Sequence, residues 1–385
     1  MRGVLDAAAG PMLPQAAQTL AAAVEIGWAD PRRLYGEARR AAALLDQARE
    51  IIAADLGVAP DHLSFHLGGG PAALAAALDG LAWPRRRTGA RLVASAVEHS
   101  AILIPGRYAA AQADDPRLLS EVSVDAAGRV DLAVWAAAVA EPRTAVAALQ
   151  HANGEVGTIQ PVAAAYDLCA AAGVPLLVDG QASLGRLGVA PEYDALIGDA
   201  ASVAGPPLGL LIAPPRTRLR RSGPVREAEF GRADAPVWIP LALAAAEAWQ
   251  QCAAQRERDN AESAAALSRL IHALRTLPDV EIAALDAPRL PNVLTFSALF
   301  ADGETLVSEL DRHGLSVASG SACTSSTLEP SHVLAAMGAL THGNVRITLP
   351  WTGAAPDRDA AVGRLIEVLP EVIRGVRERL GAGRL

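Results

Sequence analysis

Three apolar runs, each followed by a polar turn, decide the fold: ARLVASAVEHSA (90–101), TAVAALQHANGEVG (144–157) and VPLLVDGQAS (174–183). Their apolar portions have the length of buried strands, and helical stretches lie between them. Strands that alternate with helices predict βαβ units and a mostly parallel sheet. Functional groups in such sheets collect beyond the carboxyl ends of the strands, which is where His99, Asn153 and Asp179 fall.

The composition describes a globular protein of about two domains. The chain has 385 residues, of which 51% are hydrophobic and 20% charged, with a formal net charge of −8. This balance excludes a disordered chain and argues against a general nucleic-acid binder. Asp6 and two prolines interrupt the N-terminal stretch where a secretory signal needs an apolar run, and charges interrupt the long alanine stretches. We therefore predict a cytoplasmic protein that binds neither membrane nor nucleic acid.

Lysine is absent from the chain, so all 34 Lys and Arg residues are arginines. Ordinary usage would give on the order of twenty lysines in a chain of this length. A coding bias toward alanine, arginine and glycine explains the loss as a whole. Whatever its cause, no lysine Schiff base can form anywhere in this protein.

The three cysteines are too few and too scattered for a disulfide framework, which indicates a reducing compartment. Cys169 and Cys252 lie in helical runs and are expected to be small core residues. Cys323 lies in the serine-rich run SVASGSACTSSTLEPS (316–331), which we expect to be an exposed loop. We interpret Cys323 as a reactive thiol, with an inert remnant as the alternative. The His, Cys and acidic residues match no metal-binding spacing, so we predict no metal site.

A long helical run separates two predicted domains. Residues 239–277 have helical periodicity, as one helix or two consecutive ones, and lead into strand patterns such as PNVLTFSA and GNVRITLP. We place a large α/β domain at 14–250 and a small α+β domain at 1–13 and 251–385. The arginine cluster at 216–221 is interpreted as a solvated turn, with nucleic acid or an acidic partner as alternatives.

The segment ASGSACTSSTLEPSHVLAAMG (318–338) resembles the active-cysteine loop of the cysteine desulfurases, class V aminotransferases that use pyridoxal phosphate (PLP). Further family motifs are matched in order over nearly the whole chain by VLDAAAGPM, VEHSAIL, NGEVGTIQP, VDGQASLGRL, PNVLTFS and VRITLP. The resemblance implies the PLP fold-type-I architecture, a large domain with a mostly parallel sheet and a small C-terminal α+β domain. It also implies a homodimer, or a heterodimer with an intact desulfurase, and a protein that accepts sulfur.

Four residues match the family's functional positions. By resemblance, His99 stacks on the cofactor ring, Asp179 pairs with the pyridine nitrogen, and Arg346 binds the substrate carboxylate. Cys323 matches the cysteine that attacks the substrate sulfur and carries it as a persulfide. Structural roles are open alternatives for three of them: a satisfied histidine for His99, a helix cap for Asp179, and an ion pair with an internal acid for Arg346.

The positions that would hold the cofactor depart from the family pattern. The Ser-Gly-His-Lys motif aligns with residues 199–202, which places Ser202 where the lysine stands. The phosphate-binding Gly-Ala-Thr-Glu turn is replaced by Gly-Gly-Gly-Pro at 68–71, so Gly70 lacks the hydroxyl and Pro71 lacks a backbone donor. The family has a glutamine three residues after the aspartate. In this chain the glutamine, Gln181, lies two residues after Asp179.

Two further family contacts are altered. Gly154 stands at the ring-side asparagine, and Asp234 stands at the threonine that the neighbouring subunit contributes to the phosphate site. A carboxylate at that place would repel a phosphate. We therefore expect no PLP, and treat Gly70, Asp179, Gln181 and Ser202 as vestigial cofactor positions.

These observations lead to two hypotheses. The first is a desulfurase-like protein of sulfur metabolism that has lost PLP and acts as a binding, scaffold or sulfur-relay subunit through Cys323. The alternative is an active enzyme of the cysteine desulfurase type, forming L-alanine and an enzyme persulfide from L-cysteine with an atypical cofactor mode.

Overall fold

The computed structural model describes residues 3–188, 191–224, 227–320 and 330–381. Strands and helices alternate through most of these residues. The strands are β1 (Gly3–Val4), β2 (Leu63–Leu67), β3 (Arg91–Ser95), β4 (Leu119–Val122), β5 (Thr144–Gln150), β6 (Leu176–Asp179), β7 (Ala195–Asp199), β8 (Leu208–Ile212), β9 (Val280–Ile282), β10 (Val293–Ala298), β11 (Leu315–Ser316) and β12 (Asn344–Thr348). The α-helices are α1 (Pro14–Ile26), α2 (Gly36–Leu56), α3 (Gly69–Ala82), α4 (Ser100–Gln112), α5 (Leu132–Ala140), α6 (Val162–Ala171), α7 (Ile239–Leu274), α8 (Gly303–Arg312), α9 (His332–Met337) and α10 (Arg358–Arg379).

The central sheet has seven strands in the order β2-β8-β7-β6-β5-β3-β4. Strand β8 runs antiparallel to both of its neighbours, and the other pairs are parallel. Every residue of β5 is buried, as is typical of a strand whose sheet is covered on both faces. The predicted α/β architecture with a mostly parallel sheet is confirmed.

Helices cover both faces of this sheet. On one face, Leu74 of α3 and Leu103 of α4 share an apolar cluster with alternate residues of the strands. On the other face, α1, α2, α5, α6 and α7 contribute to a larger cluster that includes the fully buried Trp135 and Trp249. Helix α2 buries residues at helical spacing along one side and ends at Gly57, whose φ of 67° terminates the helix.

A second sheet, in the order β12-β10-β9, is antiparallel and belongs to the C-terminal part of the chain. It has its own apolar core with α8 and α10, in which Phe296 and Leu365 are fully buried. The N-terminal strand β1 pairs in parallel with β11. Helix α7 runs without interruption through the boundary placed after residue 250, with Trp249 in the larger core and Leu270 in the smaller one. No helix among the described residues has the length and apolar character needed to cross a membrane.

Candidate functional site

Four adjacent strands, β7, β6, β5 and β3, end at the same edge of the central sheet because they run parallel. The chain leaves β3 toward His99, β5 toward Asn153, β6 at Asp179 and β7 at Asp199. The sheet topology thus brings together the three polar residues predicted to share this edge, and adds Asp199 to them.

His99 begins helix α4 as its N-cap residue. Its Nδ1 accepts a hydrogen bond from the backbone N–H of Ala101 at 3.1 Å, and its side chain is exposed. An accepting Nδ1 in a neutral ring places the ring proton on Nε2. The capping role is therefore present. In the protonated ring, the charge of His99 would instead act on Asp179 and lower its pKa. Ring stacking by His99 stays a prediction.

Asp179 is buried at the end of β6, with 5% of its surface exposed. Its Oδ1 accepts the backbone N–H of Gln181 at 2.9 Å, and the Gln181 Nε2 donates to Oδ1 at 3.1 Å and Oδ2 at 3.0 Å. Burial raises the pKa of Asp179, while the hydrogen bonds from Gln181 and the charge of His99 oppose that rise. The residues that follow Asp179 form a turn, so it caps a turn where the sequence suggested a helix.

Glu98 is a fully buried acid that the sequence analysis did not single out. Its Oε1 accepts the backbone N–H of Gln150 at 2.6 Å, and its Oε2 has no hydrogen-bond partner among the described residues. Burial, with a smaller contribution from the charge of Asp179, raises the pKa of Glu98 to about 8. The available signal was an acid that directly precedes His99 after an apolar strand.

The glycine turn at the start of α3 is closed by a carboxylate of the chain itself. The backbone N–H of Gly70 donates to Oδ2 of Asp199 at 2.6 Å. A Cβ atom at Gly69 would lie 2.6 Å from that oxygen, and a Cβ at Gly70 would lie 1.9 Å from Oε1 of Gln181. The two glycines therefore admit the side chains of Asp199 and Gln181 into this space.

Ser202 lies in a short 3-10 helix after β7, at the position aligned with the family's lysine. Its hydroxyl is within hydrogen-bond distance of two backbone carbonyls, Asp199 at 2.7 Å and Leu184 at 2.9 Å. Its own carbonyl accepts the indole N–H of Trp351 at 2.8 Å. The serine is thus tied into the backbone network, and a hydroxyl cannot form an imine.

Arg346 on β12 faces an internal acid. Its Nη2 lies 3.7 Å from Oδ1 of Asp6, and its buried Nε has no hydrogen-bond partner among the described residues. Glu155, which was also missed, is close enough for the charge of Arg346 to lower its pKa, although burial raises that pKa overall. Arg346 thus has an internal acid as a distant partner. Its role in binding a substrate carboxylate stays a prediction.

Cys323 lies outside the described residues, and the description stops on either side of it at 320 and 330. The N–H of Gly320 donates to Oδ1 of Asn344, and Ala318 pairs with Arg346 through two backbone hydrogen bonds. On the other side, Ser331 caps α9 and hydrogen-bonds Glu155. The flank before the cysteine segment therefore pairs with the backbone of Arg346, and the flank after it contacts the Glu155 side chain.

The residues present do not fit a PLP molecule held in the family's manner. Such a molecule needs a lysine amine for the imine, free donors at the glycine turn for the phosphate, and a free carboxylate for the pyridinium. The chain has no lysine, Asp199 accepts the Gly70 N–H, and Gln181 binds Asp179. Asp234, the other altered phosphate position, pairs with Arg221 at 2.9 Å. No cluster of three metal-ligating side chains occurs in the described part of the chain.

Comparison with known proteins agrees with this architecture. Residues 4–191 match the family model for class V aminotransferases. Among solved structures, a NifS-like protein superposes with a TM-score of 0.84 at 22% identity, over 97% of this chain and 99% of that one. The apo structure of a cysteine desulfurase from Thermococcus onnurineus NA1 gives 0.78 at 18% identity, over 97% and 95% of the two chains. The fold is that of the PLP fold-type-I, class V aminotransferases.

Two curated relatives over nearly the whole chain are both cysteine desulfurases. A cysteine desulfurase from Cereibacter sphaeroides is 31% identical over 382 residues, which cover 95% of this chain and 94% of that protein. An IscS-like cysteine desulfurase from Mycobacterium tuberculosis is 30% identical over 396 residues, covering 96% of each chain. The chain belongs to the cysteine desulfurase family, in which PLP is the expected cofactor.

Proposed function

We propose that this chain is a cysteine desulfurase-like protein of cytoplasmic sulfur metabolism that works without PLP, as a binding or scaffold subunit and as a sulfur relay through Cys323. The observation that carries the proposal is the state of Ser202. It occupies the lysine position in a chain without lysine, and its hydroxyl is held by backbone carbonyls. The imine on which the family's chemistry depends has no residue to form it.

The relay step requires only a thiolate and a persulfide donor. The Cys323 thiolate attacks the outer sulfur of a persulfide on a partner protein, a new S–S bond forms, and the partner's thiolate leaves. One S–S bond breaks as another forms, so the step involves no net oxidation. The other two cysteines are poor carriers because both are buried, and burial raises the pKa of each to about 12.

A partner follows from this proposal, because a chain that makes no persulfide must receive one. We propose a homodimer, or a heterodimer with an intact desulfurase, together with a sulfur-acceptor protein. Large aromatic side chains in the segments after α1 and before α7 support such an interface, since Trp28 is 63% exposed, Phe230 is 56% exposed and Trp238 is 46% exposed. Exposed aromatic side chains of this kind are typical of protein interfaces.

The experiment compares the purified chain and its Cys323→Ser variant, with and without an active cysteine desulfurase and L-cysteine. We expect persulfide labelling on the wild type only when the desulfurase is present, and none on the variant. Cys169→Ser is the matched control and should label like the wild type. Labelling that is equal in the wild type and Cys323→Ser would refute the relay.

The retained pair of His99 and Asp179 at the sheet edge favours a second candidate, an active desulfurase with an atypical cofactor mode. Incubation of the chain alone with PLP and L-cysteine separates the two. Alanine release together with visible aldimine-type absorbance would support the enzyme and refute the proposed loss of PLP. A colourless protein that releases no alanine supports the proposal.

A further inference from the structure

We infer that Asp199 and Gln181 form a built-in replacement for the missing cofactor, so that the glycine turn and Asp179 are satisfied without a ligand and phosphate-bearing ligands are excluded. This inference rests on the proposed function, because it explains how the site persists without PLP. Asp199 stands in for the phosphate and Gln181 for the protonated pyridine nitrogen. The replacement consists of four residues that fit one another: Gly69, Gly70, Gln181 and Asp199.

Asp199 supplies a negative charge at the first turn of α3. Helix N-termini carry unpaired N–H groups and a partial positive charge, so they favour an anion. Oδ2 of Asp199 accepts the Gly70 N–H at 2.6 Å, and Oδ1 accepts the N–H of Ala201 at 3.0 Å. One carboxylate thus satisfies donors in two segments, and both of its oxygens act as acceptors.

Gln181 supplies the donor that a buried carboxylate requires. Asp179 is 5% exposed, and an unpaired carboxylate at such a place is costly. The Gln181 amide donates to both oxygens of Asp179, at 3.1 and 3.0 Å. A protonated pyridine nitrogen would donate one hydrogen bond to the same group, so Gln181 makes that contact unnecessary.

The glycines show that these changes form one repacked unit. A methyl group at Gly69 would lie 2.6 Å from the Asp199 carboxylate, and one at Gly70 would lie 1.9 Å from the Gln181 amide oxygen. Gly69 also has a φ of 73°, which by itself favours glycine, so the mutual fit rests mainly on Gly70. At Gly70 the Gln181 side chain occupies the volume that the glycine leaves free, so these two positions depend on one another.

A phosphate that entered this turn would have to displace the Asp199 carboxylate from Gly70 and would face its charge. The first test measures thermal stability without any ligand. Asp199→Asn should lower Tm by several degrees, because both oxygens accept N–H groups and an amide can offer only one acceptor. Asp61→Asn, at a side chain that is 73% exposed, is the matched control and should leave Tm unchanged. An unchanged Tm for Asp199→Asn would refute the stabilising role.

The second test measures PLP affinity by absorbance titration in proteins that carry a lysine. Ser202→Lys should bind PLP weakly, and the double variant Asp199→Ser with Ser202→Lys should bind at least tenfold more tightly. Serine at 199 keeps an N-cap oxygen for Ala201 and is too short to reach Gly70. Circular dichroism checks that both proteins fold. Equal affinity of the two proteins, whether measurable or absent, would refute the exclusion of phosphate. Binding of PLP by the unaltered chain would refute the proposed function, a result distinct from either of these.

Discussion

Arg186 lies 2.9 Å from Asp259, and this buried ion pair joins the turn after β6 to helix α7. A second guanidinium, that of Arg358 at the start of α10, lies 2.8 Å from the same Oδ2 atom. All three side chains are 3–4% exposed. Although burial raises the pKa of Asp259, the hydrogen bond from Arg358 and the N–H of Thr352 help to hold it below its usual value. The two cores are therefore connected through one carboxylate.

Asp259→Ala should destabilise the protein by about 3–5 kcal/mol, because it leaves two buried guanidinium groups without their carboxylate. The free energy of unfolding from urea denaturation measures this change. Glu378→Ala, at an exposed ion pair with Arg374 on α10, is the control and should cost less than about 1 kcal/mol. Similar losses for the two variants would contradict a central role for Asp259.

Glu98 should make the protein less stable as pH rises. Its pKa is about 8 in the folded protein against 4.5 when unperturbed, so the folded state holds a proton that the unfolded state has released between those values. Stability is then lost through this window at up to about 1.4 kcal/mol per pH unit. Glu98→Gln keeps an acceptor for Gln150 and should flatten the decline between pH 6.5 and 8. An unaltered slope in urea denaturation would argue against a neutral buried Glu98.

His66 should make the protein less stable as the pH falls, which is the opposite of the effect of Glu98. Burial on β2, with a smaller effect from Arg221, lowers its pKa to about 4 from 6.5. Between those values the unfolded state binds a proton that the folded state rejects, so stability falls as pH decreases from about 6.5 to 4. His66→Gln should reduce this loss, measured by Tm against pH, with the exposed His313 replaced by Gln as control. A profile identical to the wild type would exclude His66 as the source.

Only one cysteine should react with iodoacetamide in the folded chain near pH 8. Cys169 and Cys252 are 0% and 3% exposed, and burial raises both thiol pKa values to about 12. Mass spectrometry should find a single adduct on the wild type, none on Cys323→Ser, and three adducts on the urea-denatured wild type. A second adduct on the folded protein would mean that one of the buried thiols is accessible.

Local sequence patterns predicted the strands and helices well. They did not predict which residues distant in sequence are in contact. The runs around residues 90–101, 144–157 and 174–183 each contain a central strand of the parallel sheet. The Gly70–Asp199 hydrogen bond, in contrast, joins residues 129 positions apart. It depends on the pairing of β2 and β7 with β8 between them, which no local periodicity specifies. Glu98 was missed for a related reason, since its burial depends on its neighbours in space.

The amino-acid sequence by itself determined that no lysine imine can form, that strands alternate with helices, and that the chain resembles the cysteine desulfurases. These properties depend on residue identity and short-range order. The tertiary structure decided which side chains meet beyond the ends of the parallel strands. It directs the Asp199 carboxylate to the first turn of α3 and the Gln181 amide to Asp179. Hydrogen bonds act over about 3 Å, so only the folded arrangement determines which donors and acceptors meet.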